Sequence, residues 1–180
     1  MPCDLTLGRK EPCKESVGGL KAIYFANFGD LTINNDATDD TLIDDLGTVT
    51  VYKYDLKGTN QLEQNINSSR ENGTTFWEQV LGVVLKKQDA TTSKEVKIMA
   101  YGRPHIVVHY RNGDAVLVGE EEGAEITGGS FVSGAAQGDL NGYNLTFTGN
   151  ERVYARHLKG ATVADPFAGL TTAPTVTEGS

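Results

Sequence analysis

Four residues separate His105 from His109. On a helix that spacing sets two imidazoles side by side, ready for a metal ion; on a strand it sets them about 13 Å apart, too far to share one. Pro104 and the run Ile106-Val107-Val108 argue for a strand, so both histidines are read as strand residues flanking Val107. Asp36, Asp39, Asp40, Asp44 and Asp45 could gather calcium. They lack the D-x-D-x-D-G spacing and distal glutamate of an EF-hand and are read as a solvated loop. Glu120-Glu121-Glu122-Gly123 offers carboxylates for glycoside hydrolysis, yet three adjacent acids before a glycine read as a turn. Cys3 and Cys13 are too few for a disulfide framework and wrongly spaced for a zinc ribbon, and are read as free thiols. There is no Gly-Lys of a P-loop, no G-x-S-x-G elbow and no G-x-G-x-x-G opening a helix. The expectation is a chain with no catalytic, cofactor-binding or metal-binding residues, and no enzyme.

Elements that would position such residues are mostly strands. Glycine takes 21 of 180 positions, beside 19 threonines and 15 valines, a mixture of turn formers and β formers. Residues 1–20 read as an extended arm, 21–161 as the folded domain and 162–180 as a flexible C-terminal tail with few large apolar side chains. Residues 21–27 and 48–55 read as strands, with 34–45 a polar loop between them. Residues 61–69 read as a strand returning from the turn at 57–60, so that 48–69 forms a long hairpin. Its returning strand has only Leu62 and Ile66 to bury, on one face.

Thr75-Phe76-Trp77-Glu78 reads as a capping box, and Trp77, Val80, Leu81 and Val84 recur at helical spacing, with Phe76 beside them. This predicts the one helix, its apolar stripe packed on the sheet and Trp77 largely buried, followed by a loop over 88–93 and a strand from Val96. Asn112-Gly113 between 105–111 and 115–119 is a strong hairpin signal. Residues 126–133 and 143–148 complete seven or eight strands. The expected fold is mainly β: a β-sandwich or barrel-like sheet with one flanking α-helix and a long β-hairpin.

Charge and length exclude further classes. Twenty-four acids against sixteen bases give a net charge of −8, which disfavours a protein that grips nucleic acid. The longest apolar run, Val80 to Leu85, is far short of a membrane span, so no membrane anchor is expected. The first ten residues carry no apolar h-region and do not read as a secretory leader.

Two stretches carry a resemblance. Residues 70–79, Arg-Glu-Asn-Gly-Thr-Thr-Phe-Trp-Glu-Gln, and residues 133–148, Ser-Gly-Ala-Ala-Gln-Gly-Asp-Leu-Asn-Gly-Tyr-Asn-Leu-Thr-Phe-Thr, stand in an element order that resembles the tail tube proteins of long-tailed bacteriophages, over residues 48–151. The resemblance implies a β-sandwich with a flanking helix and no catalytic residues. It implies homo-hexameric rings stacked into a tube that conducts DNA during ejection without sequence-specific binding. Partners would be further copies and other tail proteins (terminator, baseplate, tape measure), and the place would be the virion tail after synthesis in the host cytoplasm. Asp55, Glu63 and Glu71 are the candidates for the lumen wall, since acidic walls repel phosphates. A carbohydrate-binding or adhesin-like β-sandwich is the second expectation, and a small hydrolase the third.

Overall fold

In the computed structural model, which describes residues 3–179, the chain forms twelve strands and one helix. Its central strands have no exposed face. β1 (Leu20–Ala26) is buried at every position but Lys21, β7 (His105–Tyr110) at all but its last residue, and β8 (Ala115–Val118) throughout. Continuous apolar runs of this kind require cover on both sides. These strands lie in the middle of an eight-stranded sheet ordered β12-β4-β1-β7-β8-β11-β3-β2, the others being β2 (Asn34–Asn35), β3 (Leu42–Asp45), β4 (Thr50–Asp55), β11 (Arg156–Leu158) and β12 (Thr175–Thr177). The β7–β8 hairpin turns at Asn112-Gly113 as its sequence predicts; Gly113 has φ 105°, a left-handed conformation that a side chain would strain.

A four-stranded antiparallel sheet covers one face. Its order is β5-β6-β10-β9, from β5 (Gln61–Ser69), β6 (Thr74–Lys86), β10 (Gly142–Glu151) and β9 (Glu125–Val132). Ile23, Phe25, Ile106 and Val118 of the large sheet meet Leu81, Val83, Leu145 and Phe147 of the small one. The fold is therefore mainly β, two sheets with a single helix, as expected.

The helix is not where its apolar spacing placed it. The residues that carry that spacing lie in β6, which pairs with β10 from Trp77 to Lys86 on one side and with β5 from Thr74 to Gly82 on the other. Period two explains the strand: Trp77, Gln79, Leu81, Val83 and Leu85 turn inward, while Phe76, Glu78, Val80 and Val84 turn outward. The expected stripe is thus split between two faces. Phe76 is exposed, Trp77, Val80 and Val84 are half-buried, and Leu81 alone of the five is fully buried. Valines, aromatics and threonines at half-buried positions favour the pleated form. The helix is α1 (Ala90–Tyr101), over residues expected to be loop and strand. Asp89 caps it, its carboxylate accepting from the Thr92 N–H at 2.7 Å. Val96 is its one buried residue, so its amphipathic signal is faint.

Two other expectations are corrected. The strands at 48–55 and 61–69 do not form a hairpin together. β4 belongs to the large sheet and β5 to the small one, and the turn at 57–60 carries the chain between layers. The long hairpin is β5–β6, closed by Arg70-Glu71-Asn72-Gly73. The loop at 34–45 contains β2 and β3, with Ile43 wholly buried.

The tail expected from Thr162 is part of the domain. Phe167 and Leu170 fold over the far face of the large sheet, where Ala22, Tyr24, Val51, Val107 and Leu117 form a second core. Tyr24 and Phe167 meet edge to face at 5.0 Å. β12 then joins the sheet parallel to β4. Two large apolar residues suffice because the sheet supplies the rest of the surface. Residues 3–19 form no strand or helix and are exposed, whereas Leu20, the last residue of the expected arm, is buried and opens β1. Residues 1, 2 and 180, the outermost positions of the two expected arms, lie outside the described residues.

Candidate functional site: an open sheet with an acidic face

The small sheet presents a face made almost without cations. Residues directly opposite in an antiparallel ladder share a face. Leu62, Leu81 and Phe147 pair across β5, β6 and β10 and mark the core side. The neighbouring rows turn away from the core. They hold Glu63, Val80 and Thr148; Asn65, Glu78 and Asn150; and Val84, Asn144 and Ser130. Glu125 pairs with Thr148, and Thr127 and Thr148 share a hydrogen bond at 2.9 Å. Across all four strands the charged residues are Glu63, Glu78, Glu125, Glu151 and Lys86. Glu151 is buried on the core side and Lys86 ends its strand, so the outer face carries three carboxylates among asparagine, threonine, serine and valine.

Both margins of this sheet are open. β5 and β9 each have a single strand partner, β6 and β10 respectively, and α1 lies against β9. Neither contains proline, lysine or arginine, the usual devices that blunt an edge. A register shift sits in β9 between the partners of Thr146 and Phe147, and Gly129 beside it is required, since a Cβ there would collide with the Asn144 carbonyl.

The turn from β8 to β9 holds the two sheets together through buried polar groups. Glu151 is 3% exposed and accepts from the N–H groups of Glu121 at 3.3 Å and Glu122 at 2.9 Å. Burial pushes its carboxyl above the ordinary value, against the opposing pull of those two donors. Gln79, 1% exposed, accepts from the Gly119 N–H and donates to the Val153 carbonyl. The side chains of Glu120, Glu121 and Glu122 are each taken up by an arginine: Arg156, Arg152 and, at 3.8 Å, Arg103.

His105 and His109 share the far face of the large sheet with Val107. His105 Nδ1 lies 2.5 Å from the Gly119 carbonyl, and its Nε2 accepts from the Gly29 N–H. His109 Nε2 lies 2.8 Å from the Thr162 carbonyl. Burial lowers the pKa of both. In the acidic loop Asp36 and Asp44 flank Lys159, at 2.5 and 3.4 Å. Among the described residues no three His, Cys, Asp or Glu side chains form a group that could hold a metal ion, and no helix is long and apolar enough to cross a membrane.

Of the three candidate wall residues, Glu63 is on the acidic face. Glu71 is exposed in the β5–β6 turn at its rim. Asp55 lies on β4 in the other sheet, 3.6 Å from Lys53, and does not join them. Glu78 and Glu125 were missed: the first was hidden in the expected helix, and the second stands one residue before the expected strand. Reading 74–86 with period two finds Glu78 at once. No family model matches the chain, and no curated protein and no solved structure does either.

Proposed function

We propose that this protein is a structural subunit that closes into a ring through the β5 and β9 edges, with the acidic face of the small sheet toward the lumen, as in a phage tail tube. The supporting observation is a sheet whose two outer strands each have one strand partner, bounding a face of three carboxylates. The strand directions suit closure. Alternation along β5-β6-β10-β9 leaves β5 and β9 running in opposite directions. A rotation axis along the strands keeps each copy's direction, so β9 of one copy meets β5 of the next antiparallel, and the ladder continues unbroken.

Six copies, the number the resemblance implies, would contribute four strands each. At a strand spacing of about 4.8 Å and a tilt of about 35–45°, such a barrel is about 45–52 Å across its backbone, wide enough to pass a duplex after side chains are counted. Three carboxylates per copy would repel phosphates within about 8 Å of the wall, so DNA would slide and not adhere. Negative-stain imaging and sedimentation of the purified protein at rising concentration test this. Rings or tubes are expected. A chain that stays monomeric at high concentration and forms no ring in any particle overturns it.

A further inference from the structure

The small sheet stops with a large apolar side chain bare at each margin. Ile66 on β5 and Phe131 on β9 both belong to core-side rows, opposite Trp77 and Tyr143, yet they are 60% and 52% exposed. An inward side chain is left bare in this way where a sheet lacks its next strand. Among the described residues the backbone of β9 is bonded outside its ladder only at its end, where Gln88 donates to the Val132 carbonyl at 2.7 Å, and that of β5 is not bonded outside its ladder at all.

α1 lies against β9 without closing that margin, since every residue from Thr127 to Phe131 stays exposed. Between helix and strand runs a crevice of about 510 Å³, lined by Val96 and Ala100 of α1 and by Ile126, Gly129, Phe131 and Leu145. Ile126, Gly129 and Phe131 are the inward residues of β9, so the crevice lies on the core side of its edge. The row they form has a permanent gap in the middle, because a Cβ at Gly129 would meet the Asn144 carbonyl. The chain cannot fill it with its own Ile66, which sits three strands away, about 14 Å, on the opposite margin.

We propose that Ile66 of the next copy seats in this crevice opposite Gly129, between Ile126 and Phe131, and that this one contact sets the register of the ring. The partner, a second copy, rests on the ring reading above. With Ile66 opposite Gly129, Glu63 faces Val132 and Asn67 faces Gly128, so the two strands overlap over most of their length. The closure follows from the same register. Gln61, Gly82, Thr146 and Gly128 stand in one row across the four strands, and Gly128 faces Asn67 of the next copy, so each copy advances the ladder by six residues. Over six such copies, at about 3.3 Å per residue and about 4.8 Å between strands, the strands tilt by about 45°, an angle that closed barrels adopt. Placing Ile66 opposite Phe131 raises the tilt to about 55°, beyond that range, and crowds two large side chains. Placing it against the bulge at Thr127 leaves the gap at Gly129 empty.

The test uses the full chain with Cys3→Ser and Cys13→Ser and one engineered pair, Asn65→Cys with Ser130→Cys, which this register sets directly opposite on the outer face. Mild oxidation is expected to link copies into dimers and longer ladders on a denaturing gel. The rate should exceed by about tenfold that of Glu63→Cys or Asn67→Cys paired with Ser130→Cys, which stand two residues out of register. Ile66→Asp should lower the yield of the matched pair by more than about tenfold and leave the melting curve of the free subunit unchanged, because that side chain is buried only in the contact. Imaging the same samples separates the two readings. Rings with faster links from an out-of-register pair, or with no links from any pair, leave the ring and overturn the proposal. Matched links without rings keep the contact and remove the closure, and a sample with neither overturns both. If Leu5→Asp with Leu7→Asp lowers the yield and Ile66→Asp does not, the arm fills the crevice and the proposal falls.

Discussion

Replacing Phe167 with alanine removes the largest side chain that covers the far face of the large sheet. Phe167 is 4% exposed and packs edge to face on Tyr24, itself 5% exposed. Emptying a packed phenylalanine site costs about 3–5 kcal/mol, including the aromatic pair. The segment above it is irregular and can settle partway into the gap, which favours the low end, about 3 kcal/mol. For a domain of this size that lowers the melting temperature by about 6–12 °C. Circular-dichroism melts and urea titrations measure it, with the midpoint moving and the m-value constant. Val163→Ala, in the same segment but 55% exposed, should stay within about 0.5 kcal/mol of the parent. If Phe167→Ala costs less than about 1 kcal/mol, the C-terminal segment is not integral and the second core does not stabilise the domain.

Three further outcomes are expected. The unfolded chain's histidines titrate near 6.5, while burial lowers His105 and His109 in the folded protein; stability is therefore full above about pH 6.5 and is lost as pH falls toward the folded values, which urea midpoints between pH 7.5 and about 5 will show. A flat profile contradicts the buried-imidazole geometry. Asp89→Ala leaves the Thr92 N–H without its cap and should cost about 1 kcal/mol, whereas Asp89→Ser should recover most of it. Glu63→Lys, Glu78→Lys and Glu125→Lys together reverse the sign of the outer face, so the triple variant should retain duplex DNA in a salt-dependent way that the parent does not. Equal retention by both argues against the conduit.

The hairpin at Asn112-Gly113 was legible because a two-residue turn fixes its own backbone, and β10 because Tyr143, Leu145 and Phe147 alternate cleanly with polar residues. β6 was not, because its outward face also carries Phe76, Val80 and Val84, and apolar residues on both faces imitate helical spacing over so short a window. α1 shows the opposite fault. With Val96 alone buried it has no apolar stripe, and only Asp89 followed by Thr92 announces it. Phe167 and Leu170 were hidden because a sparse segment looks solvated until the sheet it covers is known. Of the site, Glu63 could be read from its place in a polar strand. Glu78 needed the correct period. Glu151 could not be read at all, since an acid gives no sign in sequence that two backbone N–H groups await it.

The second core has a consequence in time. In numbering, 143 residues separate Tyr24 from the Phe167 that covers it, and β3 pairs with β11 across more than a hundred. At about 5–20 residues per second, Tyr24 leaves the ribosome about 7–30 s before Phe167 does. Over that interval Ala22 and Tyr24, joined later by Val107, have no roof, and sheet pairings this distant in sequence form slowly. The nascent protein therefore offers an apolar layer to its surroundings well before it can be finished. Whatever shields that layer in the cell, a chaperone or the neighbouring strands themselves, acts on a lifetime set by translation.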